Sequence, residues 1–103
     1  MSKLVFDLVV TRHSGTLEFL QELGLCDNNS AVKTHVSADD VRGKNVVGVL
    51  PHHLSCLCNS FTELNLNVPE EWRGKDLTCE QVRSIYRGYV TYKVVVLEKE
   101  VSA

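Results

Sequence analysis

No run in this sequence is long and apolar enough to cross a bilayer, and no segment gathers charge of one sign. The first apolar stretch, Leu4 to Val10, is interrupted by Asp7 and is far shorter than a membrane span. It has no small-residue cleavage site, so a secretory signal is not expected and the chain reads as cytoplasmic. The net charge is only -2, so no global positive field draws in polyanions, and a DNA-coating role is excluded. There is no Walker loop and no G-x-G-x-x-G. The four cysteines, Cys26, Cys56, Cys58 and Cys79, show no pair with the two-residue gap of a zinc site. No metal and no cofactor is therefore expected, and the cysteines are read as free thiols of a reducing compartment. Repeats and low-complexity stretches are also missing.

What remains is an ordinary folded composition. A hydrophobic share of 44% over 103 residues is too high for disorder and sufficient for one domain, residues 1–103. Leu4 to Val10 has the length and β-branching of a buried central strand. Leu17, Leu20 and Leu23 predict a helix from about Thr16, stopped at Gly24. Val32 to Val36 reads as a second strand, Ser37 to Asp40 as one helical turn, and Asn45 to Leu50 as a third strand. Pro51 suits the first position of a second helix, and Phe61 to Leu66 is a fourth strand. Asn67 to Asp76 is a polar loop. Thr78-Cys79-Glu80-Gln81 is a capping box, with Leu77 and Val82 placed as its hydrophobic staple. Val82, Ile85, Tyr86 and Tyr89 follow at helical spacing, Gly88 ends that helix, and Val90 to Leu97 is the last strand. Strands alternating with helices predict an α/β, three-layer Rossmann-like sandwich with a mainly parallel sheet.

In such sheets ligands sit at the carboxyl ends of strands. Thr11-Arg12-His13-Ser14-Gly15 falls there, directly after the first strand. Arg12 offers a planar fork of donors for phosphate oxygens, and His13 exchanges a proton near neutral pH. Ser14 and Gly15 open a helix whose free N–H groups favour an anion. The plainer alternative is an N-cap flanked by two exposed polar side chains. His52 and His53 begin the second helix and point about 100° apart, so one pocket cannot take both equally. Arg73-Gly74-Lys75 is either a second phosphate contact or a solvated loop. Trp72 is either a stacking platform for a base or a lid over the core.

Three blocks carry a family resemblance. Val9-Val10-Thr11-Arg12-His13-Ser14-Gly15-Thr16-Leu17-Glu18-Phe19-Leu20 resembles the opening of a small CRISPR-associated family found beside type III systems, the sixteenth of the Csx series. Val47 to Leu54 and Leu66 to Leu77 continue it in the same order and spacing. Phe19 stands where that family is expected to carry a tryptophan, and His52 where an aliphatic residue is expected. The resemblance implies a ring nuclease that cleaves a cyclic oligoadenylate second messenger, typically cyclic tetra-adenylate. It also implies a kinship with the Rossmann-like domains that sense such rings, and a homodimer binding a symmetric ring across its two-fold axis. Carried over by position, Thr11, Arg12, His13 and Gly15 match the first block, Pro51 and His53 the second, and Pro69, Arg73 and Gly74 the third.

On that reading Arg12, His13 and His53 are the catalytic candidates. Thr11, Ser14, Gly15, Pro51, His52, Arg73 and Gly74 are the ligand-binding ones. Two rivals use overlapping residues. A protein that sequesters the ring without cutting it would need the same site. A histidine phosphatase carries Arg-His-Gly after its first strand, but here Ser14 intervenes before Gly15 and the chain is short for that fold.

Overall fold

The apolar runs become strands because their alternate side chains can enter two different helix layers. The computed structural model describes residues 6–11, 14–27 and 30–100. In these residues one sheet is built from β1 (Leu8–Val10), β2 (Ala31–Lys33), β3 (Asn45–Gly48), β4 (Ser60–Leu66) and β5 (Tyr86–Tyr92). The helices are α1 (Ser14–Glu22), α2 (Ala38–Val41), α3 (His52–Ser55) and α4 (Cys79–Ile85), with a 3-10 turn at Glu70–Trp72. The sheet order is β2-β1-β3-β4-β5. β1 runs parallel to β2 and β3, and β3 parallel to β4; only β5 is antiparallel, paired with β4. The fold is α/β with a mainly parallel sheet, as the element order implied.

Val9 and Val47 turn to one face, where they pack with Phe6, Leu20 and Leu25. Leu8, Val10, Val46 and Phe61 turn to the other and pack with Val41, Leu54 and Leu57. α1 and α4 thus share the first face, joined over a cluster of Phe19, Leu77, Val82 and Ile85. α2 and α3 lie on the second, which completes three layers. Arg83 ties α4 to α1 by donating to both carboxylate oxygens of Glu22 at 2.7 Å. All four cysteines are free thiols; burial pushes Cys26 and Cys58 up from the ordinary thiol range. Among the described residues no helix is long and apolar enough to cross a membrane.

Local signals are realised closely. Gly24 ends α1 at φ 75°. Thr78 Oγ1 accepts from the Gln81 N–H at 3.2 Å, and Gln81 Oε1 accepts from the Thr78 N–H at 3.0 Å. Leu77 and Val82, the expected staple, are both buried. The boundaries differ in several places; β3 ends at Gly48 rather than Leu50, and Phe6 and Asp7 lie outside β1. α1 starts at Ser14 rather than Thr16. Pro51 is the N-cap of α3 rather than its first helical residue. β2 covers Ala31–Lys33 and so stops short of Val36. The largest change is at the end. α4 stops at Ile85, and Tyr86 enters β5 opposite Leu66 instead of continuing the helix. Tertiary pairing overrides the helical spacing there, and an edge-on contact of Tyr86 with Phe19, with ring centroids 4.8 Å apart, holds it. β5 then ends at Tyr92, opposite Phe61. β4 begins only one residue earlier, at Ser60, so residues 93–100 have no neighbouring strand to join. Lys93 pins this exit by donating to the carbonyls of Cys58 and Asn59 at 3.1 and 3.2 Å.

Gly48 is the position where the sheet demands glycine. Its φ is 141°, and a Cβ there would stand 2.0 Å from the Val10 carbonyl oxygen. Gly43 also has a positive φ, 74°, but a Cβ there would meet nothing within 4 Å. Gly48→Ala is therefore expected to destabilise by more than about 3 kcal/mol, and Gly43→Ala by about 1 kcal/mol, both read from urea unfolding.

A second expectation concerns acid. Asp40 accepts from the Ser37 N–H at 2.8 Å and from Lys33 Nζ at 3.0 Å. These contacts, the backbone one foremost, hold its carboxyl down to about 2. The folded value lies below the unfolded one of about 3.9. Its stabilisation is thus complete above that value and lost as the pH falls through the folded one. Asp40→Asn should remove this part of the acid sensitivity, measured as the urea midpoint at about pH 5 and at about pH 2.

Candidate functional site

From β1 the chain goes to β2 on one side, and from β3 to β4 on the other. The carboxyl ends of β1 and β3 are therefore the switch point of this sheet order, where doubly wound folds hold their ligands. Val10 and Gly48 pair across it. Because Gly48 lacks a side chain, the two strand ends close up, and the Val49 N–H donates back to the Val10 carbonyl at 3.3 Å. Thr11 follows directly, its N–H held by the Lys33 carbonyl at 3.2 Å. Pro51 and the exposed His52 and His53 follow from β3. The first and second motif blocks thus meet at one edge. Arg12 and His13 lie outside the described residues.

The third block is brought to the same edge by the amino end of α1. The Gly15 N–H donates to the Leu77 carbonyl at 3.2 Å. A Cβ on Gly15 would stand 2.2 Å from the Thr78 carbonyl carbon and 2.4 Å from both Leu77 O and Cys79 N. Glycine is needed here for a backbone-to-backbone approach, a packing role that the sequence did not reveal. Next to it, Asp76 Oδ1 accepts from the Ser14 N–H at 3.2 Å, and Asp76 Oδ2 lies 3.5 Å from Ser14 Oγ as an acceptor. The Ser14 and Gly15 N–H groups, expected to be open to an anion, are engaged by a carboxylate and a carbonyl. The helix start does hold an anion, and that anion is Asp76.

Two hollows flank this junction. One, of about 240 Å³, lies between α1 and the sheet; its walls include Thr11, Thr16, Leu20, Gly48 and Leu64. The other, of about 370 Å³, is lined by Leu66, Val68, Trp72, Arg73, Gly74 and Leu77. Leu66 and Val68 belong to both and form a common wall. Trp72 packs on the Phe19–Leu77 cluster, as a lid over the core would, and also lines the open hollow. Arg42 and Arg83 are paired with Asp39 and Glu22, and Arg87 donates to the carbonyls of Ser84 and Tyr86. Arg73 is the one arginine among the described residues whose guanidinium makes no hydrogen bond or ion pair.

The two histidines separate from this cleft. His52 lines a third hollow of about 300 Å³ with Phe61, Glu63, Tyr92 and Val94. Phe61 packs in the α2–α3 layer, so that hollow is on the opposite face of the sheet. His53 is exposed and lines none of the three.

A family model described as "Putative CRISPR-associated protein (Cas_VVA1548)" matches residues 8–95. The chain belongs to this family. The Cas_VVA1548 match runs across all three motif blocks, and through both strand ends and both hollows that define the cleft. No curated protein and no solved structure matches the chain. Of the residues that build the Cas_VVA1548 cleft, sequence reasoning missed Gly48, Asp76, Leu66 and Val68. An isolated glycine in a β-branched strand was a usable signal of close backbone approach. Asp76 gave none, because its partner is 62 residues away.

Asp76→Ala should cost about 1 kcal/mol, the usual worth of a helix N-terminal carboxylate, read from thermal or urea unfolding. It should also speed hydrogen exchange of the Ser14 amide while leaving the Val82 amide, bonded to Thr78 O at 2.9 Å, unchanged.

Proposed function

We propose that this chain is a ring nuclease. It cleaves a cyclic oligoadenylate, cyclic tetra-adenylate foremost, and so ends a type III CRISPR signal. The observation that carries this reading is the meeting of the three motif blocks at the β1/β3 switch point, in a chain that belongs to a CRISPR-associated family. The free Arg73 beside Trp72 supports a ligand with both phosphate and aromatic character.

The proposed reaction needs no metal. The ribose 2′-hydroxyl attacks the adjacent phosphorus and gives up its proton to a base. The P–O5′ bond breaks, and the 5′-oxygen takes a proton. The product is linear oligoadenylate ending in a 2′,3′-cyclic phosphate. Arg12 stabilises the charge on the phosphorane. His13 or His53 moves the proton, and Arg73 holds a phosphate from the facing turn. A two-fold ring fits a homodimer in which both copies contribute.

One observation favours the alternative, a protein that sequesters the ring intact. His53 lines neither hollow that Thr11 and Arg73 line. The two readings separate in one assay: purified protein with cyclic tetra-adenylate and EDTA, followed by chromatography. The nuclease reading expects a 2′,3′-cyclic phosphate product, with His13→Ala slower by roughly 10²–10⁴-fold. Arg73→Ala should weaken ring binding on the order of tenfold. An intact ring, bound at stoichiometric protein after long incubation, selects sequestration.

A further inference from the structure

An edge strand leaves one row of backbone N–H and C=O groups without a sheet neighbour, and proteins guard such edges with short strands, bulges and lysines. The sheet has two edges, β2 and β5. β2 is guarded by its length of three residues. β5 is seven residues long, and its guards stand at its amino end. There Arg87 donates to the Ser84 and Tyr86 carbonyls, Gly88 has φ 108°, and the register with β4 shifts between Leu64 and Leu66. The carboxyl end is open. Tyr89, Val90 and Tyr92 are exposed there. Lys93, the lysine placed to guard that end, is turned onto the carbonyls of Cys58 and Asn59. The chain then continues without helix or turn through Val94-Val95-Val96-Leu97, where Val95 and Val96 are each 61% exposed and Leu97 94%.

We propose that β5 and the arm that follows it, residues 93–97, pair antiparallel with the same segment of a second copy of this chain. Antiparallel pairing of a strand with itself sets one residue against its own copy on the two-fold axis. That residue is Val94, and the hollow on the α2–α3 face fixes the choice. The hollow, of about 300 Å³, is lined by His52, Phe61, Glu63, Tyr92 and Val94. Tyr92 pairs with Phe61, and Val94 follows on the same face, so Val96 turns to that face as well. With Val94 on the axis, Val96 lies opposite the partner's Tyr92 and enters the hollow beside it, an aromatic to β-branched pair of the kind sheets favour. Leu97 lies opposite the partner's Thr91. Each contact is made twice, because the two-fold makes the surface complementary to itself. A second copy is the occupant because it brings both things the edge lacks: a strand for the open backbone groups, and a valine at the register of the hollow. The two sheets, five strands from each copy, become one. This pairing turns the carboxyl ends of β1 and β3 of the two copies in opposite directions. It is therefore a different contact from one that shares a ring between two clefts, and it does not rest on the ring-nuclease reading.

The test is sedimentation equilibrium of the full chain without nucleotide, at micromolar concentration, with four proteins side by side. Wild type is expected at twice the monomer mass of 11.6 kDa. Val96→Asp and Leu97→Asp, each placing a carboxylate on an exposed arm position, are expected at the monomer mass. Val32→Asp, at the other sheet edge, is expected to remain a dimer. Circular dichroism checks that the folds agree, and either arm variant carries the test alone if the other is misfolded. Amide exchange adds a local readout. The Val95 and Val96 amides point to opposite sides of the strand, so the one facing the partner should exchange at least about tenfold more slowly in wild type than in Leu97→Asp. A monomeric wild type would overturn the proposal. So would a dimer that survives both arm substitutions, or one broken by Val32→Asp alone. Cleavage of cyclic tetra-adenylate by a wild type that is monomeric in the absence of ring would reject the β5 pairing and leave the nuclease reading standing. An arm-dependent dimer that neither binds nor cleaves the ring would uphold the pairing and reject the nuclease.

Discussion

The structure depends on a contact that only glycine permits. At Gly15 the first turn of α1 comes against the backbone of Leu77, Thr78 and Cys79, close enough that a Cβ would overlap three of its atoms. Loop and helix are held there by the Gly15 N–H to Leu77 O bond and by Asp76 on Ser14. Two amino ends of helices, those of α1 and α4, are thereby set side by side. The capping box of Thr78 and Gln81 supplies the local order that the second of them needs. Packing continues from that point into the Phe19–Leu77–Val82–Ile85 cluster and the Glu22–Arg83 pair. The turn bearing Trp72, Arg73 and Gly74 sits beside the switch point because its far end is fixed this way. Function, on the proposed reading, is a consequence of a packing constraint.

A second close approach does the same for the strands. Gly48 lets the ends of β1 and β3 close together, so the chain segments that follow both strands leave from one edge. With both glycines in place, three segments far apart in sequence share one cleft. The cleft's walls are core side chains and its rim is polar, the usual composition of a small-ligand site.

The parts of this arrangement legible in the sequence are the local ones. The Thr78–Gln81 capping box, the Gly24 stop and the strand-helix alternation depend on neighbours within a few residues, and each appears where its chemistry puts it. The α4–β5 boundary was misplaced because Tyr86 answers to Leu66 across the sheet and to Phe19 across the helices, neither of them local. The same distance hid the cleft. Thr11, Arg73 and Gly74 could be named from their motifs, but nothing near Asp76 in the sequence points to Ser14. The motif reading of Gly15 as a ligand contact was also incomplete. The residue is first a spacer between two backbones, and the N–H groups around it are engaged within the chain.

The most direct test of the account is hydrogen exchange at the Gly15 amide in the native protein. The docking of α1 on Leu77 predicts that this amide, at the first turn of a helix where amides are usually open to water, exchanges as slowly as the Val82 amide inside α4. Exchange of Gly15 at the rate of an unstructured peptide, with Val82 still protected, would contradict it.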